Sequence, residues 1–175
     1  MMDRVSLLVL AMPDNSHNKH WPALVGWLAL AFATAAIGAI ASAQAGSFYA
    51  QLAKPDWAPP SSVFSPVWTT LYTLMGIAAW LAWRERHRPR KGPLTLFVVQ
   101  LVVNALWSWF FFRWQMGAAA FIDVILLLVL IVATIVAFWR LRPLAGMLLL
   151  PYLAWVAFAS ALTWSVWQAN PSILG

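Results

Sequence analysis

Few side chains in this 175-residue chain sit in a pattern that could do chemistry. The most regular are Gln100, Asn104 and Ser108, spaced four apart. On a helix that spacing draws one polar stripe. Two amides and a hydroxyl can hydrogen-bond to neighbouring helices as interhelical glue, or to a ligand in a cavity. Aromatic rings recur at similar spacing: Phe64, Trp68 and Tyr72; Trp107 and Phe111; and Tyr152, Trp155, Ala159 and Thr163 on a further face. Trp107, Trp155 and Trp164 fall deep in apolar stretches, where an indole N–H needs a partner. Such rings beside Asn104 and Gln100 suit a flat, largely apolar ligand, with aromatic packing alone as the plainer reading.

Ordinary catalytic teams are missing. Cysteine is absent, which removes disulfides, thiolate nucleophiles and thiolate metal sites together. His17, His20 and His87 all fall outside the apolar stretches, and no nucleophile elbow, P-loop or dinucleotide fingerprint occurs. No metal site and no required cofactor is expected. Asp123 is the one acid within an apolar stretch. Its place near a helix start predicts an interfacial, solvated carboxylate stabilised by the helix dipole, rather than a proton relay.

These residues need elements to position them, and composition says which kind. The chain is 63% hydrophobic and 9% charged, against roughly 25% charged in soluble domains. Five stretches approach the roughly 20 apolar residues that cross a hydrocarbon core: 22–45, 65–83, 94–112, 118–139 and 147–167. None alternates with the period of a membrane β-barrel. The predicted fold is an all-α integral membrane bundle of five transmembrane helices over 22–170. A polar tail, 1–21, precedes it and a short tail, 171–175, follows. Trp21, Trp83, Trp114, Trp139 and Trp167 lie at span ends and fit an interfacial aromatic belt.

Charge sorts by side. The amino-terminal tail, the loop at 84–91 and the loop holding Arg140 and Arg142 carry nine Lys/Arg, whereas Lys54 and Arg113 alone lie opposite. That asymmetry predicts the amino terminus and basic loops inside, as in a bacterial inner membrane. The net charge of +6 therefore reads as a topology determinant with some affinity for anionic lipid, and no nucleic-acid partner is expected.

The apolar run at 5–12 is too short to span and lacks a cleavage site, so no signal peptide is expected, and Met12 is an alternative start. Span one carries two ridges of small residues, Ala31/Ala35/Ala39 and Thr34/Gly38/Ser42, suited to close helix approach within a bundle or in a homodimer. The segment 46–64 contains Pro55, Pro59 and Pro60 and cannot be one helix. Its aromatics predict a structured cap.

Several of these stretches together resemble the TspO/MBR family, also known as translocator proteins or tryptophan-rich sensory proteins. The resemblance runs through Tyr49–Pro60, Phe64–Gly76, Gln100–Phe111, Gln115–Gly117 with Asp123, and Pro151–Ala159. It implies a five-helix bundle with a pocket beneath the first loop, and a membrane receptor or sensor for tetrapyrroles such as protoporphyrin IX. Carried over by position, the pocket would comprise Tyr49, Trp57, Trp68, Tyr72, Asn104, Trp107, Trp155 and Ala159, and the polar stripe adds Gln100. A light- and oxygen-dependent breakdown of porphyrin is the alternative, with Trp57 and Trp155 as catalytic candidates; porphyrin or metabolite transport is another. The usual asparagine of the last span is Thr163 here. The sterol pattern of animal members is broken by Trp164 and Gln168, so a sterol ligand is not implied.

Overall fold

The computed structural model describes residues 21–175. Expectations for the preceding tail, with His17, His20 and Met12, lie outside the described residues. Five long helices dominate: α1 (Trp21–Ala41), α3 (Phe64–Arg84), α4 (Lys91–Ser108), α5 (Gly117–Leu141) and α7 (Leu150–Ala169). Shorter pieces join them: α2 (Ala45–Gln51), α6 (Pro143–Met147) and α8 (Pro171–Leu174). The chain is thus an all-α membrane bundle.

One detail differs from the sequence expectation. Among the described residues four helices have both the length and the apolarity to cross a membrane: Trp21–Ala41, Lys91–Arg113, Gly117–Leu141 and Pro143–Ala169. Helix α3 has the length, 21 residues, but is diluted by Ser65, Pro66, Thr69, Thr70, Tyr72 and Thr73. Its three threonines are satisfied locally. The hydroxyls of Thr69, Thr70 and Thr73 donate to carbonyls one turn back, at 2.9, 3.0 and 2.9 Å, which removes most of the penalty of placing them in hydrocarbon.

The helices close into a ring. α1 packs on α3 and α4, α4 on α5, α5 on α7, and α7 returns to α3. In lipid this association relies on close packing rather than on escape from water. Small residues supply the fit. Ala78, Ala79 and Ala82 of α3 are fully buried, and a Cβ on Gly76 would meet Leu28 at 2.6 Å. At the basic end Phe97 of α4 sits between Trp27 of α1, edge-on at 6.1 Å, and Phe138 of α5, stacked at 5.7 Å. The outward faces carry Ile37, Ile122 and Val129, exposed as a lipid-facing surface requires.

Both turnings at the far end are built locally. After α4 the backbone widens into a π-helical turn, Trp109–Arg113, and reverses through Gln115 in the left-handed region at φ 56°. Gly117 then opens α5, where a Cβ would stand 2.2 Å from the Trp167 ring. The segment before α3 is a structured cap. Asn170, just past α7, clamps it: Oδ1 accepts from Ala53 N–H at 2.9 Å and Nδ2 donates to Ala53 C=O at 2.8 Å. Residues expected as a carboxy-terminal tail form the turn α8, whose Leu174 is fully buried beside Leu52 and Phe111.

Candidate ligand cavity

Beneath that cap the ring of helices does not fill its own centre. A cavity of about 660 Å³ opens among α1, α3, α4, α5 and α7, within the size range of small-molecule sites. One wall is α1, where the small residues Ala35, Gly38, Ala39 and Ser42 stand back from the centre. The ridges read as packing faces serve both purposes: Thr34 and Gly38 are buried against neighbours, while the turns nearer the cap leave space. Facing them are Trp68 and Tyr72 from α3, Asn104 and Trp107 from α4, and Ala159 from α7. Tyr49, from α2, covers the top.

Asn104 is the polar centre. The Tyr72 hydroxyl donates to its Oδ1 at 2.6 Å, and its Nδ2 donates to the Tyr152 oxygen at 3.0 Å. Three helices are joined by one amide. Both phenols and the amide are buried, so each bond avoids the cost of an unpaired polar group. Trp68 lies against Tyr72 at 5.5 Å and edge-on to Tyr152 at 6.3 Å, bracing the network from the cavity side.

Two other polar atoms of the wall are left over. Trp107 Nε1 and the Tyr49 hydroxyl are buried and have no hydrogen-bond partner, and both residues border the cavity with other atoms. Trp107 is held flat on Phe111, 5.3 Å between centroids and 10° between planes. Burial raises the Tyr49 phenol above its ordinary range, keeping it a neutral donor near pH 7. Lys54 is already engaged. Its ammonium donates to the Tyr49 and Leu52 carbonyls at 2.7 and 3.1 Å and lies 4.8 Å from the Tyr49 ring centre.

Of the residues expected to form the pocket, Tyr49, Trp68, Tyr72, Asn104, Trp107 and Ala159 come together on the cavity wall. Trp57, Gln100 and Trp155 do not. Trp57 is half exposed and meets Phe158 edge-on at 5.7 Å. Trp155 sits in a separate apolar groove between α3 and α7, with Pro66, Leu71 and Pro151. It contacts Phe64 at 5.8 Å and Phe158 at 5.5 Å. Gln100 is buried, and neither of its amide atoms has a partner. Trp164 is 45% exposed on the outer face, against Phe121. The expectation for Asp123 is corrected. It is 7% exposed rather than solvated, and its Oδ2 has no partner, because the second turn of α5 is already covered by its neighbours.

The sequence spacing puts Tyr152 on a face with Trp155, and the structure separates them. At about 100° per residue the two lie about 60° apart, enough to send Tyr152 inward and Trp155 to the α3 groove. The signal that could have separated them is Val156 and Ser160, which extend the buried side of α7. Phe32 and Phe112 of the wall were not foreseen, because an aromatic inside an apolar span carries no mark of the side it faces.

Fold and cavity together define an all-α integral membrane protein with an aromatic-lined cavity under a structured cap. Residues 26–168 match the model of the TspO/MBR family, and the chain belongs to that family. It is 41% identical over 126 residues to the tryptophan-rich protein TspO of Chlorobaculum tepidum, covering 71% of this chain and 80% of that protein. The human translocator protein is 41% identical over 126 residues, covering 70% and 75%. Protein CrtK of Rhodobacter capsulatus is 41% identical over 140 residues, covering 78% and 85%.

Proposed function

We propose that this protein is a membrane receptor for tetrapyrroles of the protoporphyrin IX type, acting as a sensor or modulator of porphyrin level. The observation that carries the reading is the chamber itself: aromatic walls around one fixed amide, with the donors of Trp107 and Tyr49 buried and unanswered. A flat apolar macrocycle would lie against Trp68 and Trp107. Its polar edge or a propionate would accept from the Trp107 indole and the Tyr49 phenol, two donors that otherwise stay unpaired at a cost. We place the basic loops on the cytoplasmic side of a bacterial inner membrane, on the nine-to-two sorting of Lys/Arg. The test is titration of the purified chain with protoporphyrin IX, followed by absorption and by quenching of tryptophan fluorescence. Saturable binding lost in Trp107→Ala supports the reading; affinity unchanged by that substitution sinks it.

A second reading draws on a different observation. Rings run in contact from half-exposed Trp57 through Phe158 and Trp155 to Phe64, and from Phe64 to Tyr49 at 5.9 Å on the cavity wall. Such a series suits light- and oxygen-dependent porphyrin breakdown, with Trp57 and Trp155 exchanging electrons with a bound ring. Illumination in air should then yield a protein-dependent product, and Trp155→Phe should slow its formation while leaving affinity unchanged. A stable bound spectrum under light rejects this second reading and leaves the receptor.

A further inference from the structure

At the end of the bundle opposite the cavity, the α3–α4 connection meets the α5–α6 connection. Arg84, Arg86, Arg88, Arg90, Lys91, Arg140 and Arg142 gather there with Glu85 as the sole acid in those connections. Like charges repel, yet the fold draws these together. The Arg88 guanidinium reaches across to donate to the Arg140 backbone carbonyl, which joins the two basic connections, and Arg142 follows two residues on. Among the described residues no carboxylate pairs with any of them: Glu85 instead accepts the backbone N–H of His87 at 3.3 Å. Two more cations are held on aromatic rings. Arg84 lies over Trp80 at 4.7 Å, and Arg90 over Trp83 at 5.1 Å while donating to the Trp83 carbonyl. Trp139, 45% exposed, precedes Arg140 at the end of α5.

We infer that this end is a binding site for the phosphodiester headgroup of an anionic phospholipid, seated among Arg88, Arg140 and Arg142, with its acyl chains descending along the exposed Trp139 side of α5. The chemistry is complementary. Guanidinium forks match phosphate oxygens in pairs, and an anion among three unpaired arginines relieves their mutual repulsion. Indole rings favour the depth at which a headgroup gives way to acyl chain. A free soluble anion would satisfy the guanidinium groups but leave the aromatic side unused.

The test is native mass spectrometry of the full chain released from nanodiscs holding equal phosphatidylglycerol and phosphatidylcholine. Wild type should retain phosphatidylglycerol over phosphatidylcholine by ~10-fold, and the double variant Arg88→Gln/Arg142→Gln should lose most of that preference. Arg113→Gln, at the other end of the bundle, should leave it unchanged. Equal retention of the two lipids by wild type, or equal loss from Arg113→Gln, overturns the site. Removal of the retained lipid by inorganic phosphate at matched concentration also overturns it, in favour of a free anion. Should the double variant not fold, Arg142→Gln alone decides the matter. Its side chain is exposed and makes no bond to the described residues, so a ~2-fold fall in retention supports the site and no fall rejects it.

Discussion

Two aromatic regions of this molecule differ in what surrounds their rings. On the cavity side, Trp68, Tyr72 and Trp107 border open space because the opposite wall, α1, offers mainly small side chains. On the outer side, Trp57, Phe158, Trp155 and Phe64 touch in series at 5.5–5.8 Å, with Trp155 and Phe158 bordering a separate groove and Phe64 reaching the cavity wall. Tryptophan content alone does not make a binding site. A site arises where large rings face small residues across a gap, and a packed cluster arises where large rings face each other. Polar atoms follow the same division. Asn104 has both of its neighbouring phenols, whereas the Trp107 indole N–H and the Tyr49 hydroxyl are buried without a partner.

Substitutions can break or sharpen this contrast. The largest effect on porphyrin affinity is expected from Trp107→Ala, a loss of ~30-fold, as for the truncation of a central aromatic anchor. Isothermal or fluorescence titration reads it directly. Next is Asn104→Leu, similar in volume but unable to bond. It strands the Tyr72 and Tyr152 hydroxyls, at about 1–3 kcal/mol for a buried unpaired group. Affinity should fall ~10-fold and thermal stability in detergent should drop with it. Trp155→Ala should separate the regions most cleanly. It vacates the groove and lowers thermal stability, by roughly 2 kcal/mol or more on core truncation scales, while affinity moves less than ~3-fold. An affinity loss equal to that of Trp107→Ala would show that the two regions act as one. The smallest change is expected for Lys54→Met, below ~2-fold in affinity, since an exposed ammonium adds little and this one already serves two carbonyls.

The helices were legible because lipid imposes a simple rule: a spanning segment must bond its own backbone and present apolar surface. Even the exception, α3, follows from its residues, whose hydroxyls lower mean apolarity while bonding to their own helix. The site was legible in part. The four-residue spacing of Gln100 and Asn104 marked the buried side of α4, and both amides are buried. That spacing could not say that Asn104 reaches the chamber while Gln100, one turn away, does not. Nor could it place Asp123, whose position near a helix start argued for solvent and whose neighbours exclude it.

The sequence by itself determined the class of solvent, the helices, the sorting of charge and the family, because these rest on local composition and on motifs read in order. Tertiary structure alone decided which rings enclose space and which fill it. A side chain's period names its face on one helix. What that face meets depends on the rotation and separation of four helices at once, and a turn of about 60° is enough to carry Tyr152 into the polar network and Trp155 out of the cavity.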